Sequence, residues 1–325
     1  AGAAGAGTAG TGGGSTDLTK VVPAGPGCGK AAPADLIPGM LIDQKIMTMG
    51  TKDAMCADAK CGAWTDTRDY WVRLPKGYDM NKPYPLVFEG PGCGGHGNNL
   101  YNIPVFDSTV IRVGLTPSAY WQQFHATNPG QGCFDDKEGD DSVDWVLYED
   151  LWDLFSTTLC FDKNRVFAGG NSSGAWFSNE VGCKYAGDPK RPIRGIMPNT
   201  GGLPTDPKYV PTCTTNPMAG FWSHEVGDTT NPFSGNIVAM NRALTVNHCT
   251  PAGVTYTSAM TANAFMPFPV GGDTTSCKRY MGCPDLTPMV VCPLAGNGHN
   301  SHDNIVDPGW PAFLGLFSMG NLISQ

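Results

Sequence analysis

The sequence predicts a single α/β domain built on a doubly wound, mostly parallel sheet and held by disulfides. Three observations predict it. Short apolar runs alternate with helix-compatible segments along most of the chain, the pattern of parallel strands covered on both faces. One strand-to-helix passage, Arg165 to Trp176, crosses Gly170-Asn171-Ser172-Ser173-Gly174, a G-x-S-x-G turn. The 12 cysteines are even in number and dispersed rather than grouped in C-x-x-C pairs. That favours disulfides in an exported protein over a zinc site.

The composition narrows the function classes. In 325 residues, 41% are hydrophobic and only 15% charged, enough for one sizeable core. A formal charge of −8 argues against nucleic acid or an anionic membrane as the main partner. No apolar run is long enough to cross a bilayer. A start at Ala1 rather than Met is what removal of a targeting segment would leave.

Residues 1–20, a Gly/Ala-rich stretch without large side chains over most of its length, read as a flexible tether, suited equally to a cell surface or to a spacer toward another module. Residues 21–325 read as the single domain. A strand is expected at Leu41 to Met49, followed by an alternating strand at Arg68 to Pro75. A more continuously apolar strand, Tyr84 to Gly90, runs into the glycine-rich loop Pro91-Gly92-Cys93-Gly94-Gly95. A third core strand is expected at 110–115. The acidic stretch 135–141 lacks the spacing of a calcium loop and reads as a solvated helix entry. It leads into an amphipathic helix over 143–158. After the serine turn come a helix at 175–185, strands at 193–198 and 218–224, and a helix at 234–247. An irregular insertion is expected over 250–285, then a last strand at 289–294 and a terminal helix at 310–322. Cys56 with Cys61, and Cys277 with Cys283, are spaced to close short local loops.

A serine hydroxyl at its ordinary pKa is a weak nucleophile and needs a base, itself oriented by a third group. On a doubly wound sheet these partners follow the serine in the order acid, then base. Gly227-Asp228 opens the loop after the strand ending at His224, and Gly298-His299-Asn300-Ser301-His302 follows the last strand. Ser172, Asp228 and His299 are therefore the candidate nucleophile, acid and base. His302, three residues on, is the alternative base. The N–H of Ser173 and one from the loop Gly92-Cys93-Gly94, Gly92 or Cys93 foremost, are candidate oxyanion donors. Trp176 and Trp222, beside these loops, are candidate substrate-binding residues, with Trp121 and Phe134 as further aromatics.

With Pro85-Leu86-Val87-Phe88 and its loop, Cys160 through Gly174, Ile193 through Ile196, His224 through Asp228, Asn247-His248-Cys249 and Pro288 through Cys292 before Gly298-His299, the chain from about Tyr70 onward resembles a known group. These are the secreted carbohydrate esterases of the feruloyl-esterase and polyhydroxybutyrate-depolymerase-like group (carbohydrate esterase family 1-like) within the α/β-hydrolases. The resemblance implies an α/β-hydrolase fold with the same Ser172, Asp228 and His299. It implies substrates such as feruloylated polysaccharide or a polyester, including polyhydroxyalkanoate or an aromatic polyester. The chain departs from the group at Phe88-Glu89-Gly90-Pro91, where His-Gly is usual, and in His302, an extra candidate that the group's pattern does not need. No cofactor or metal is expected, and the protein is expected to be a monomer. A serine peptidase, or an inactive surface-tethered binding module on the same fold, are the alternatives.

Overall fold

The computed structural model describes residues 17–50, 64–118, 132–134, 143–205, 210 and 212–318. Its strands are β1 (Leu41–Gly50), β2 (Trp64–Arg73), β3 (Tyr84–Gly90), β4 (Ile111–Leu115), β5 (Phe161–Asn171), β6 (Gly195–Asn199), β7 (Ala219–Glu225), β8 (Phe265–Pro267), β9 (Lys278–Tyr280) and β10 (Met289–Leu294). Its helices are α1 (Phe106–Thr109), α2 (Val143–Thr158), α3 (Ser173–Tyr185), α4 (Phe233–Val246), α5 (Tyr256–Thr261) and α6 (Asp303–Gly315). The strands form one sheet in the order β1-β2-β4-β3-β5-β6-β7-β10-β9-β8.

Six neighbours, β4 through β10 in that order, pair in parallel. Antiparallel pairs close both edges. Parallel strands must be covered on both faces, which is why β4, β6 and β7 are buried at every residue. Leu86, Phe88, Val166, Ala168 and Ile196 face one apolar core, shared with side chains of α2, α3 and α4. Val87, Phe167, Met197 and Phe221 face the other, shared with Phe106 and with Ile305, Val306, Trp310 and Phe313 of α6. From β3 the chain steps to β4 on one side and then to β5 on the other. The carboxyl ends of β3 and β5 thus form the topological switch point, the crevice where such sheets carry their sites. This connectivity, with a serine turn between β5 and α3, is an α/β-hydrolase fold.

Two secondary-structure expectations are corrected. The terminal helix begins at Asp303, and Pro308 and Pro311 lie inside it. The expected start is Trp310, but burial of Ile305, Val306, Trp310 and Phe313 carries the helix through both prolines despite the missing amide donors. The 250–285 region is not wholly irregular. It contains α5 and the short antiparallel pair β8–β9, and β9 extends the sheet by pairing with β10.

That pairing also decides the cysteines. Val290 faces Arg279 and Val291 faces Lys278, so the next position in register brings Cys292 to Cys277, and those two are joined. Cys283 instead pairs with Cys249, brought near by the Thr250 N–H donating to Gly282 O. The local Cys277–Cys283 loop is therefore wrong. Cys28–Cys160, Cys93–Cys133 and Cys183–Cys213 complete the disulfides among the described residues. Cys56 and Cys61, Trp121, the acidic stretch 135–141 and residues 1–16 of the expected tether lie outside those residues. Among the described residues no helix is long and apolar enough to cross a membrane, and no group of three metal-ligating side chains occurs.

Candidate active site

Ser172 sits between β5 and α3 with φ 54° and ψ −114°, outside the wells a serine ordinarily occupies. Close backbone packing holds it there. Its N–H donates to Asn199 O at 2.9 Å, and the Gly174 N–H donates to Pro91 O at 2.9 Å. A Cβ on Gly174 would collide with the carbonyl of Gly90, so the glycine lets the start of α3 rest on the end of β3. The Ser172 Oγ lies 2.8 Å from His299 Nε2, and His299 Nδ1 lies 2.7 Å from Asp228 Oδ2. Sequence order therefore becomes a hydrogen-bonded chain of hydroxyl, imidazole and carboxylate.

Asp228 is fixed on its other oxygen, where Oδ1 accepts from the N–H groups of Thr230 at 2.8 Å and Asn231 at 3.0 Å. Burial pushes its pKa up, but the hydrogen bonds from His299, Asn231 and Thr230 outweigh burial and hold it below the usual aspartate value. The carboxylate is thus ionised where an imidazolium would need it.

Sequence reasoning missed the role of His224, which marked only a strand end. Its Nδ1 accepts from Asn236 Nδ2 at 3.0 Å, which assigns the proton to Nε2. That N–H is shared between Asn231 O at 2.8 Å and Asp228 Oδ2 at 3.2 Å. Burial, the largest influence, lowers the His224 pKa, so a neutral imidazole supports the acid from behind. A histidine and a glutamate ending an otherwise apolar strand, just ahead of Gly227-Asp228, were the available signal.

The serine and histidine loops are also tied together through Asn199. Its side-chain amide donates to Tyr101 Oη at 2.9 Å, to Asn171 Oδ1 at 3.2 Å and to the carbonyl of Ser301, while its Oδ1 accepts from Ser223 Oγ at 2.8 Å. His302 faces away from this chain. Its Nε2 lies 3.1 Å from Glu225 Oε1, and burial lowers its pKa.

Gly92 lies against the serine: a Cβ built on it would come within 3.4 Å of Ser172 Cβ. Cys93 is joined to Cys133. The N–H of Gly94 is taken by Gly132 O and that of Gly95 by Gly92 O, each at 3.0 Å. Of the two tryptophans, Trp176 is half-buried and its ring borders Gly201, next to the Ser172 carbonyl. Trp222 is different. It is 1% exposed, and its indole N–H donates to Asn179 Oδ1 at 3.1 Å in the core beneath α3. It has no surface to offer a substrate. Phe134 likewise packs on Phe177 inside the core.

No family model matches the chain. Its sequence is 27% identical over 190 residues to feruloyl esterase C of Emericella nidulans, covering 58% of this chain and 64% of that protein. A probable feruloyl esterase C of Aspergillus niger matches to the same extent. Over these stretches the chain is similar in sequence to feruloyl esterases. Feruloyl esterase D of Neurospora crassa is 25% identical over 260 residues, or 75% of this chain and 77% of that one. Among solved structures, an acetyl xylan esterase from Aspergillus awamori shares 13% identity at a TM-score of 0.48, covering 84% of this chain and 99% of that chain. The chain spans less than two thirds of the length of the first two proteins.

Proposed function

We propose that the protein is a serine carboxylic-ester hydrolase acting through an acyl-enzyme, with hydroxycinnamoyl (feruloyl-type) esters of polysaccharide as its substrate class. The observation that carries the reading is the Ser172–His299–Asp228 chain, with both links under 3 Å. Ser172 Oγ attacks the ester carbonyl while His299 Nε2 takes its proton, and Asp228 stabilises the imidazolium. The developing oxyanion is held by two amides. Ser173 opens α3, so its N–H has no acceptor within the helix. With the Gly94 and Gly95 amides occupied, the second donor is Gly92 or Cys93. Donors of this kind contribute about 10²–10³-fold each. His299 then protonates the departing alcohol, and water activated by the same imidazole releases the acid.

The names of the sequence relatives support the feruloyl assignment, and the half-buried Trp176 gives an aromatic acyl group a flat surface beside the serine. The disulfides support an extracellular site of action. The test is hydrolysis of p-nitrophenyl acetate, then of methyl ferulate, polyhydroxybutyrate and an aromatic polyester film, by wild type and Ser172→Ala. Ferulate release lost in Ser172→Ala supports the proposal. Activity on polyester alone replaces the substrate class, and equal activity of the two proteins removes the hydrolase reading.

A further inference from the structure

We infer that Glu225 is a positioning residue for the base, clamping the loop that carries His299. The inference rests on the hydrolase reading above. Glu225 ends β7, three residues before Asp228, and is 4% exposed. Its Oε2 accepts the Gly298 N–H at 2.5 Å, and its Oε1 accepts from Asn300 Nδ2 at 2.6 Å. One carboxylate thus grips the residue on each side of His299. The backbone of the same segment continues the attachment. The Val226 N–H donates to Leu294 O at 3.0 Å and the Gly227 N–H to Gly296 O at 2.9 Å.

The loop needs such a grip. Residues 295–298 and Asn300 are exposed, and His299 is only half-buried. Gly296, at φ +143°, and Gly298 give the backbone wide freedom. A Cβ on Gly296 would meet the Glu225 carboxylate, so that glycine is what lets the loop lie on the clamp. Burying a carboxylate is costly unless its lone pairs are filled, and a neutral side chain would close the strand end at less cost. What the carboxylate adds is a fixed place for the imidazole between Ser172 and Asp228, two links that tolerate little movement. A misplacement of about 1 Å can lower the rate about 10²-fold.

Glu225→Gln keeps both hydrogen bonds, because the Asn300 amide can turn its oxygen toward the new Nε2–H while Gln Oε1 still accepts from Gly298. Glu225→Leu and Asn300→Ala each remove part of the clamp, the second without altering β7. The three variants are compared with wild type and Ser172→Ala for kcat and KM on p-nitrophenyl acetate, for thermal unfolding, and for hydrogen exchange at the Gly298 amide. The expected result is that Glu225→Leu loses about 10²-fold in kcat with KM within about twofold, and loses protection at Gly298. Asn300→Ala falls in the same direction, and Glu225→Gln stays within about tenfold of wild type. If Ser172→Ala is inactive while Glu225→Leu and Asn300→Ala keep wild-type kcat, the clamp is overturned and the hydrolase reading stands. If Ser172→Ala matches wild type, the hydrolase reading fails and the clamp falls with it.

Discussion

The Oδ2 atom of Asp228 is shared by two imidazoles, His299 at 2.7 Å and His224 at 3.2 Å. The two contacts have different consequences. His299 reaches the serine and gains a charge during the proposed reaction, whereas His224 is buried, neutral and held by Asn236. Asp228→Asn is expected to lower kcat on p-nitrophenyl acetate by about 10³–10⁴-fold, since an amide facing His299 favours the wrong tautomer. His224→Leu leaves Asn236 and one lone pair of Asp228 unsatisfied. It should cost about 1–3 kcal/mol in a urea melt, with a smaller loss of kcat than Asp228→Asn.

Contact between Gly174 and Gly90 makes the serine turn sensitive to a single methyl group. Gly174→Ala places a Cβ on the Gly90 carbonyl and must part α3 from β3. We expect about 1–3 kcal/mol of destabilisation in denaturant unfolding, with a loss of kcat because the same movement shifts Ser172. Unchanged stability and activity would show that the turn relaxes without strain.

The Cys93–Cys133 bond closes a 40-residue separation beside the serine. Replacing both cysteines by serine should remove about 3–4 kcal/mol of stability on the chain-entropy account. If the loop also supplies the second oxyanion donor, kcat should fall in protein that is still folded. Retention of full kcat would place that donor elsewhere.

Acid should weaken the fold in two stages. The pKa values of His224 and His302 lie below the ordinary value of 6.5, so the unfolded chain binds more protons as pH falls through that range and stability declines. Glu225 is held below the ordinary glutamate value of 4.5, chiefly by Asn300, and Asp228 below the aspartate value of 3.8 despite its burial. Their stabilisation is present above those values and lost as pH falls through the folded ones. Melting temperatures measured from about pH 8 down to about pH 3 should fall first in the histidine range and again in the carboxylate range. His302→Asn should reduce the first fall, and a melting temperature that stays flat from about pH 7 to about pH 5 would contradict the account.

Much of this site could be read from residue order. The apolar strand into Gly170-Asn171-Ser172-Ser173-Gly174, Asp228 after β7 and His299 after β10 are local patterns, and the fold brings those three side chains together. What could not be read depends on contacts between distant segments. Trp222 is a substrate-binding candidate because it is near the acid in sequence, but strand alternation turns its ring into the core under α3. Glu225 looked like a loop carboxylate until residues 298 and 300 closed on it. The cysteine pairing followed the register of β9 on β10, a three-residue strand too short to carry a sequence signal. The start of α6 at Asp303 depends on the packing of Ile305 and Val306, which no pattern local to Pro308 and Pro311 announces.

In the proposed reaction Ser172 is the nucleophile of a preassembled Ser–His–Asp chain. Incubation with a fluorophosphonate, followed by peptide mass spectrometry of wild type, Ser172→Ala and His299→Ala, tests it most directly. The expected result is one adduct per chain on Ser172, none in Ser172→Ala, and labelling slowed by several orders of magnitude in His299→Ala. An adduct on Ser173, or labelling of Ser172→Ala at the wild-type rate, would contradict it.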